Sequence, residues 1–394
     1  MKENFLILNF LDDGVEITAL KADFKSKEIL LLSQQKENRV YFPALKNILS
    51  TAFRFWPYKI ILSLDSKRAL TSYESVLLTR DNPQKIIDEA ELENLISEAL
   101  WKIIDDGRKR AVKRLDLSDL EILLADVWVH DLKIDGHAVI NPLRHRGAKI
   151  QIYLSQTFIS RSFLRDIFSI LPKRAKLGLV LESGVGAAHL VGKIANQKNF
   201  LFAKVHDGKT EMFLFKSHSS KNAKKVSKSQ SWQAGQIAFL DHWKWGKRNF
   251  YHAIAEDLKI PAPVCESIIQ KFINAETSTD FAKRFSRFYE SALMDLIRGL
   301  KNAASETKSE MIYLDFPPLR KDNFFPTILR IVEGDKMLAA LGFKYKTHSF
   351  NFLKAKLPET LDFLSLASFL EFYFLPREDL INHLAKRRMR WLTP

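Results

Sequence analysis

Hydrophobic and polar positions first alternate with a period close to two. The runs "FLILNF" (5–10), "VEITALK" (15–21) and "KEILLLS" (27–33) are separated by Asp12-Asp13-Gly14 or by polar breaks, which predicts strands joined as an antiparallel meander. A helix from about Pro43 to Phe53 and a strand at "KIILSLD" (59–65) follow. The period then lengthens. In "DEAELENLISEALWKII" (88–104), Leu92, Leu95, Ile96, Ala99, Leu100 and Ile103 fall on one stripe, so this segment reads as an amphipathic helix with a core-facing side. Strands are expected around 120–130, 137–140 and 148–154, then a helix from Gln156 to Leu171 and a strand at "KLGLVLES" (176–183). This order predicts a ribonuclease-H-like α/β lobe interrupted by a small α+β module.

The stretch "VHDLKIDGHAVINPLRHRGAKIQIYLSQTF" (129–158) packs Asp135-Gly136, Asn141-Pro142 and Gly147 between apolar runs, with no catalytic constellation among them. These turn-formers read as structural. Gly136 and Gly147 relieve tight backbone turns, and Pro142 fixes one dihedral.

Composition adds bounds to this picture. A chain of 394 residues, 46% hydrophobic, can bury a large core and is expected to divide into two or more lobes. The single cysteine, Cys265, cannot form an internal disulfide, and no Cys/His spacing suggests a metal site, which fits a reducing cytoplasm. The first apolar run, Phe5 to Leu11, is short for a signal peptide, and the most apolar late segment, Leu361 to Leu375, is short for a membrane span and carries Glu371. The expectation is a protein kept inside the cell.

Lysine and arginine number 61 against 46 acidic residues, a net charge of +15, which favours a polyanionic neighbour. The lysine-rich "KSHSSKNAKKVSKSQ" (216–230) lacks the interleaved aromatic residues of a base-stacking surface, so it reads as a solvated loop and a nucleic-acid partner is not favoured. The tail "REDLINHLAKRRMRWLTP" is different. On a helix, Leu380, Ile381, Leu384, Ala385, Trp391 and Leu392 share one arc, Lys386, Arg387 and Arg390 the opposite one, and Arg388 intrudes on the apolar side. Such a helix can lie on an anionic membrane, held by apolar burial and by roughly 1 kcal/mol per cation near the surface. The alternative is a terminal helix packed on its own lobe.

The residues "IDGHAVINPLRHRGAKIQIYL" resemble the inserted SHS2 (1C) subdomain of the bacterial cell-division FtsA family, where a strand ends at Asp-Gly, a turn passes through Asn/Asp-Pro-Leu, and a Gly precedes the next strand. "TRDNPQKIIDEAELENLISEAL" resembles the approach to that insertion, "SGVGAAHLVG" (183–192) the small-residue helix closing the first lobe, and "FYHAIAEDLKIPAPVCESIIQKF" (250–272) the second-lobe helix pair. The resemblance implies an actin-like two-lobed fold. It divides the chain into first-lobe parts at 1–79 and 161–197 around an SHS2 insertion at 80–160, a second-lobe part at 198–238, a helical subdomain at 239–307, the second-lobe return and closing elements at 308–375, and the basic tail at 376–394.

Actin-like ATPases hold nucleotide with two hairpin phosphate loops and a glycine-bearing adenosine loop, because backbone amides must approach phosphates closely and carboxylates must hold hydrated Mg²⁺. The sequence departs from that pattern at each place. The family's Asp-Ile-Gly becomes Asn9-Phe10-Leu11, although Gly14 can still turn the hairpin. In "KVHDGKTE" (204–211), Lys204 replaces the metal-side Asp and only Gly208 and Thr210 remain; "MIYLDFPPL" (311–319) puts Asp315, Phe316 and Pro317 where glycines belong; and Cys265-Glu266 stands where the family reads Ala-Glu. The expectation is a degenerate actin-like ATPase with no catalytic residues and no metal, with Asn9, Leu11, Gly14, Lys204, Gly208, Thr210, Glu266, Asp315 and Pro317 as vestigial positions and no cofactor; the alternative, not favoured, is residual binding of ATP with Mg²⁺ in which Lys204 contacts a phosphate as a point charge.

The resemblance then implies an FtsA-like scaffold at the division site, linking filaments of an FtsZ-like tubulin homologue to the inner face of the cytoplasmic membrane and self-associating into filaments. Its anchor would be Leu380, Ile381, Leu384, Lys386, Arg387, Arg390, Trp391 and Leu392. The alternative is a PilM-like cytoplasmic adaptor of type IV pilus assembly, which binds a peptide of an inner-membrane partner.

Overall fold

The computed structural model describes the chain except residues 1, 13, 24, 27, 38–39, 53–57, 172–175, 196–198, 218–234, 317–326, 332–337, 342–360, 375–378 and 393–394. In chain order it begins with β1 (Lys2–Leu11), β2 (Gly14–Asp23), β3 (Glu28–Glu37), α1 (Phe42–Ala52) and β4 (Lys59–Leu64). Next come β5 (Ala69–Thr79), α2 (Glu89–Leu115), β6 (Ile122–Ile134), β7 (His137–Ala138) and β8 (Lys149–Ser160), then α3 (Arg161–Ile170), β9 (Lys176–Glu182) and α4 (Ser183–Ala195). The chain continues with β10 (Asn199–Val205), β11 (Thr210–Ser217), β12 (Gly235–Trp243), α5 (Lys247–Leu258), α6 (Ala262–Ile273), α7 (Thr279–Thr307), β13 (Met311–Asp315), β14 (Thr327–Ile331) and β15 (Leu338–Leu341). It closes with α8 (Phe363–Phe374) and α9 (Leu380–Leu392). Met1–Leu190 and Leu353–Pro394 contribute to one compact unit, Val191–His218 and Ile237–Phe352 to a second.

The first unit is built on a sheet of order β3-β2-β1-β4-β9. The meander β1 to β3 is antiparallel, while β4 runs parallel to both β1 and β9. Strand alternation decides which helices cover which face. Leu6, Leu8 and Phe10 join Leu45 and Leu49 of α1 and Leu164 and Ile167 of α3 in one core. Phe5 points the other way and meets Phe369 and Phe372 of α8 edge-on, at 5.1 and 5.3 Å. Between β2 and β3 the register slips: Ala19 pairs with Ser33 but Leu20 with Leu31, so Leu32 is an extra residue in β3.

The segment after β4 makes its own antiparallel sheet, order β5-β8-β6-β7, and does not join the central one. Helix α2 crosses one face, burying Leu92, Ile96, Ala99 and Leu100 with Val76, Leu78, Ile150 and Ile152. Asp88 caps its start by accepting the Glu91 amide at 2.9 Å, and Asp116 ends it in the left-handed region at φ 53°. The Asp135-Gly136 turn has positive φ at both residues, 47° and 84°, which joins β6 to β7 with the hand that twisted strands require. Gly147, at φ 157°, lies so close to Ile134 that an added Cβ would stand 2.2 Å from its side chain.

Two boundaries differ from the sequence reading. The module's sheet begins at Ala69, so β5 belongs to it although residues before 80 were expected in the first lobe. Residues 156–160 are strand and not the start of a helix, because Gln156, Thr157, Phe158 and Ile159 pair on both sides, with β5 and β6; the helix starts only after Ser160, whose side chain accepts the Phe163 amide.

The second unit carries a sheet of order β12-β11-β10-β13-β14-β15. It repeats the first pattern in part. A hairpin, β10–β11, lies beside a parallel neighbour, β13, but β14 then runs antiparallel to β13 where β9 is parallel to β4. Helices α5, α6 and α7 supply Phe250, Ile254, Cys265, Ile269, Leu296 and Leu300 to the core over Leu201 and Ala203.

Candidate functional site

The positions expected to contact nucleotide gather on two hairpins, one in each unit. On the first, Asn9, Leu11 and Gly14 sit together near the β1–β2 turn, where Leu11 pairs with Gly14. Asn9 does not face an opening. It is fully buried, and its Nδ2 donates at 2.8 Å to Ser365 Oγ of α8, which also contacts Thr18 Oγ1 at 2.9 Å. The turn itself is held by cations from the turn that follows β4: Lys67 Nζ pairs with Asp12 at 2.5 Å, while Arg68 donates to the Leu11 carbonyl at 2.8 Å and to Asp65 at 2.9 Å.

On the second hairpin, Lys204 of β10 is 5% exposed and lies in register between Glu211 of β11 and Asp315 of β13. Glu211, 1% exposed, is ion-paired with His206, whose Nε2 lies 2.9 Å from Oε2, and with Lys209, whose Nζ lies 2.5 Å from Oε1. Burial alone would raise the Glu211 pKa, but the charges of His206, Lys209 and Lys204 overcome it and hold the carboxylate well below its ordinary range. Thr210 is turned inward and donates to the Trp245 carbonyl at 2.8 Å. Gly208 stays open at the tip, with nothing near the position of a Cβ.

The start of α5 seals the same turn. The amides of Lys247 and Arg248 donate to the carbonyls of His206 and Asp207, each at 2.9 Å, and Arg248 Nε lies 3.2 Å from Asp207 Oδ2. The first-turn donors of this helix, a ready anion site when free, are thereby spent on the chain's own carbonyls. Gly246 makes this contact possible, since a Cβ there would stand 2.5 Å from both carbonyl oxygens. In the third expected loop, Phe316 is fully buried between Trp245 and Phe250, at 5.9 and 5.3 Å, directly after Asp315. Glu266 is exposed on α6, and Pro317 lies outside the described residues. A groove of about 470 Å³ runs beside the turn between α5 and α7, with Arg248 and His252 set against Glu256, Asp257 and Asp295.

The expected lipid-facing residues Leu380, Ile381, Leu384, Lys386 and Arg387 lie on α9. Ile381, Leu384 and Ala385 of α9 are 3%, 1% and 0% exposed, inside the core of the α+β module, with Leu380 packed at its margin. Lys386 pairs with Asp126 at 3.3 Å, and Arg387 and Arg388 both reach Glu93 of α2. Among the described side chains of the apolar arc, Ile381, Leu384 and Ala385 are therefore covered by protein in this structure. The side chains of Arg390, Trp391 and Leu392 lie outside the described residues, as does most of the lysine-rich 216–230 segment. No helix among the described residues is long and apolar enough to cross a membrane.

Three buried polar groups were not anticipated. Glu182 at the end of β9 is fully buried, pairs with Arg114 of α2 and accepts the Thr71 amide at 3.1 Å. His189 of α4 donates from Nδ1 to Glu371 of α8 at 2.7 Å, beside Tyr73, whose hydroxyl burial pushes far above its usual pKa, helped by the charges of Glu371 and Glu182. Asp126 links β6 to β9 by accepting the Val180 amide at 3.0 Å. Their partners come from elements distant in sequence, so spacing held no signal for them.

No family model matches the chain, and no curated protein is similar to it in sequence. Among solved structures, it is similar to a PilM–PilN type IV pilus biogenesis complex at TM-score 0.41 and 10% identity, over 78% of this chain and 77% of that one. It is also similar to a Bacteroides thetaiotaomicron protein with an actin-like ATPase fold and unknown function, at TM-score 0.31 and 11% identity over 66% and 78% of the two chains. The ethanolamine utilization protein EutJ from Carboxydothermus hydrogenoformans gives TM-score 0.33 and 8% identity over 77% and 72%. The strand orders of the two sheets carry the assignment, and these scores do not. The chain has an actin-like fold.

Proposed function

We propose that this protein is a non-catalytic scaffold of the actin-like fold, an adaptor that binds other proteins and does not turn over ATP. One observation carries the reading: the two hairpins that such a site would need open are each closed by the chain's own charges, Lys67 and Arg68 on the first, and His206, Lys209, Arg248 and the start of α5 on the second. Lys204, Asp315 and Phe316 are likewise committed to the interior of their unit. ATP with Mg²⁺ is expected to leave the melting temperature unchanged, since stabilisation follows RT ln(1 + [L]/Kd) and vanishes without binding. A clear rise at millimolar ATP that Lys204→Ala abolishes would show a living site.

Within this role the FtsA-like reading makes the chain a link between FtsZ-like filaments and the membrane, with the α+β module as an SHS2-type contact for self-association. A second reading is a PilM-like adaptor recruited by a partner protein, with which the burial of Ile381, Leu384 and Ala385 in the module is compatible. Co-sedimentation with FtsZ polymers, with and without anionic liposomes, separates them. Pelleting with FtsZ supports the division scaffold. Failure to pellet under either condition supports the partner-recruited adaptor.

A further inference from the structure

We propose that α9 is a strap: by docking, it fixes the α+β module to the central sheet of its unit, and Asp126 is the residue through which the two attachments are coupled. Asp126 lies on β6 and is 5% exposed. Its Oδ2 accepts the amide of Val180, on β9 of the central sheet, at 3.0 Å, while Oδ1 accepts the Val127 amide at 3.0 Å and meets Lys386 Nζ of α9 at 3.3 Å. One buried carboxylate thus joins module, sheet and terminal helix. The Lys386 ammonium is also held over the Trp128 ring, 3.5 Å from its centroid.

Around this contact α9 supplies what the module lacks. Strand β7 pairs with Lys133 and Ile134, so among the described residues the side of β6 turned away from β8 has no strand partner near Val129. Asn382 takes that place: its Nδ2 donates to the Val129 carbonyl at 2.9 Å and its Oδ1 accepts the Val129 amide at 2.8 Å, as a neighbouring strand would. Ile381, Leu384 and Ala385 fill the core beneath, and Arg387 and Arg388 close the outer side on Glu93.

The coupling follows from the charge. Removing one partner from a buried ion pair leaves an uncompensated charge in a poorly solvated place, which is costlier than never forming the pair. With α9 displaced, Asp126 must take up a proton or turn toward water, and either change weakens it as the acceptor for Val180. Undocking of α9 therefore loosens the joint between module and sheet, and by linkage a loosened joint weakens α9 docking. This does not depend on nucleotide or on the identity of a partner.

Hydrogen–deuterium exchange on the full chain tests it. Lys386→Met keeps the apolar stem and removes the charge; peptides covering 176–182 should then exchange roughly tenfold faster, while those of α5 to α7 keep their rates. Lys386→Arg, which restores a cation, should return 176–182 to the wild-type rate. In an Asp126→Asn background no counter-charge is needed, so Lys386→Met should change exchange at 176–182 by less than about twofold. Unchanged exchange at 176–182 in Lys386→Met, an equal acceleration in the Asp126→Asn background, or failure of Lys386→Arg to restore protection would each overturn the proposal.

Discussion

Single residues decide whether the second hairpin is a binding loop or a closed turn. At Gly246 the deciding factor is space: any Cβ collides with the carbonyls of His206 and Asp207, which belong to backbone and cannot swing away. Gly246→Ala should cost about 1–3 kcal/mol, read as a lower urea midpoint at unchanged slope. At Glu211 the deciding factor is charge. Its folded pKa is depressed below the ordinary 4.5, so the folded chain binds this proton less readily than the unfolded chain. The resulting stabilisation is complete above that ordinary value and is lost as pH falls below it toward the folded pKa. An acid titration followed by tryptophan emission, for which buried Trp245 beside the hairpin is a reporter, should show the second unit weakening in that window. Glu211→Gln should flatten the acid limb and cost about 3 kcal/mol at neutral pH, because Lys204, His206 and Lys209 then lose their common counter-ion.

Among elements, the meander β1 to β3, α2 and β9 were legible because their apolar positions keep a clean period. Strand β5 was not, since "ALTSYESVLLT" alternates only in its second half. Its buried polar residue Thr71 is satisfied by Thr157 and by Glu182 of β9, partners that local sequence cannot reveal. The same blindness turned 156–160 into helix. Ser160 marks the true boundary, and Ser160→Ala should cost about 1 kcal/mol by removing the cap of α3. The α9 arc was legible as an arc, but an amphipathic face looks the same whether lipid or protein covers it. Stability measurement distinguishes the two: Leu384→Ala should lower the unfolding free energy of the lipid-free protein by about 2–5 kcal/mol. A side chain kept only for a membrane would leave that quantity unchanged. Of the candidate site, the grouping of Lys204, Thr210 and Asp315 could be seen in sequence by comparison with the family pattern. The role of Glu211 could not, because His206 and Lys209 reach it only once the hairpin closes.

At the scale of the molecule, two sheets of related strand order and an inserted α+β module were foreseeable, whereas the tie between module and terminal helix was not. The slipped register at Leu32 has a consequence for how copies of this protein coexist at high concentration. Strand β3 ends the central sheet, and it shows solvent two leucines, Leu30 and Leu32, at 55% and 49% exposure. A long, straight strand in that position is a template on which another chain can add and start an aggregate; an extra residue bends it and spoils the match. Deleting Leu32 should leave the fold intact by circular dichroism yet make light scattering rise steeply with concentration, and a deletion variant that stayed as soluble as the parent would mean that the bulge guards nothing.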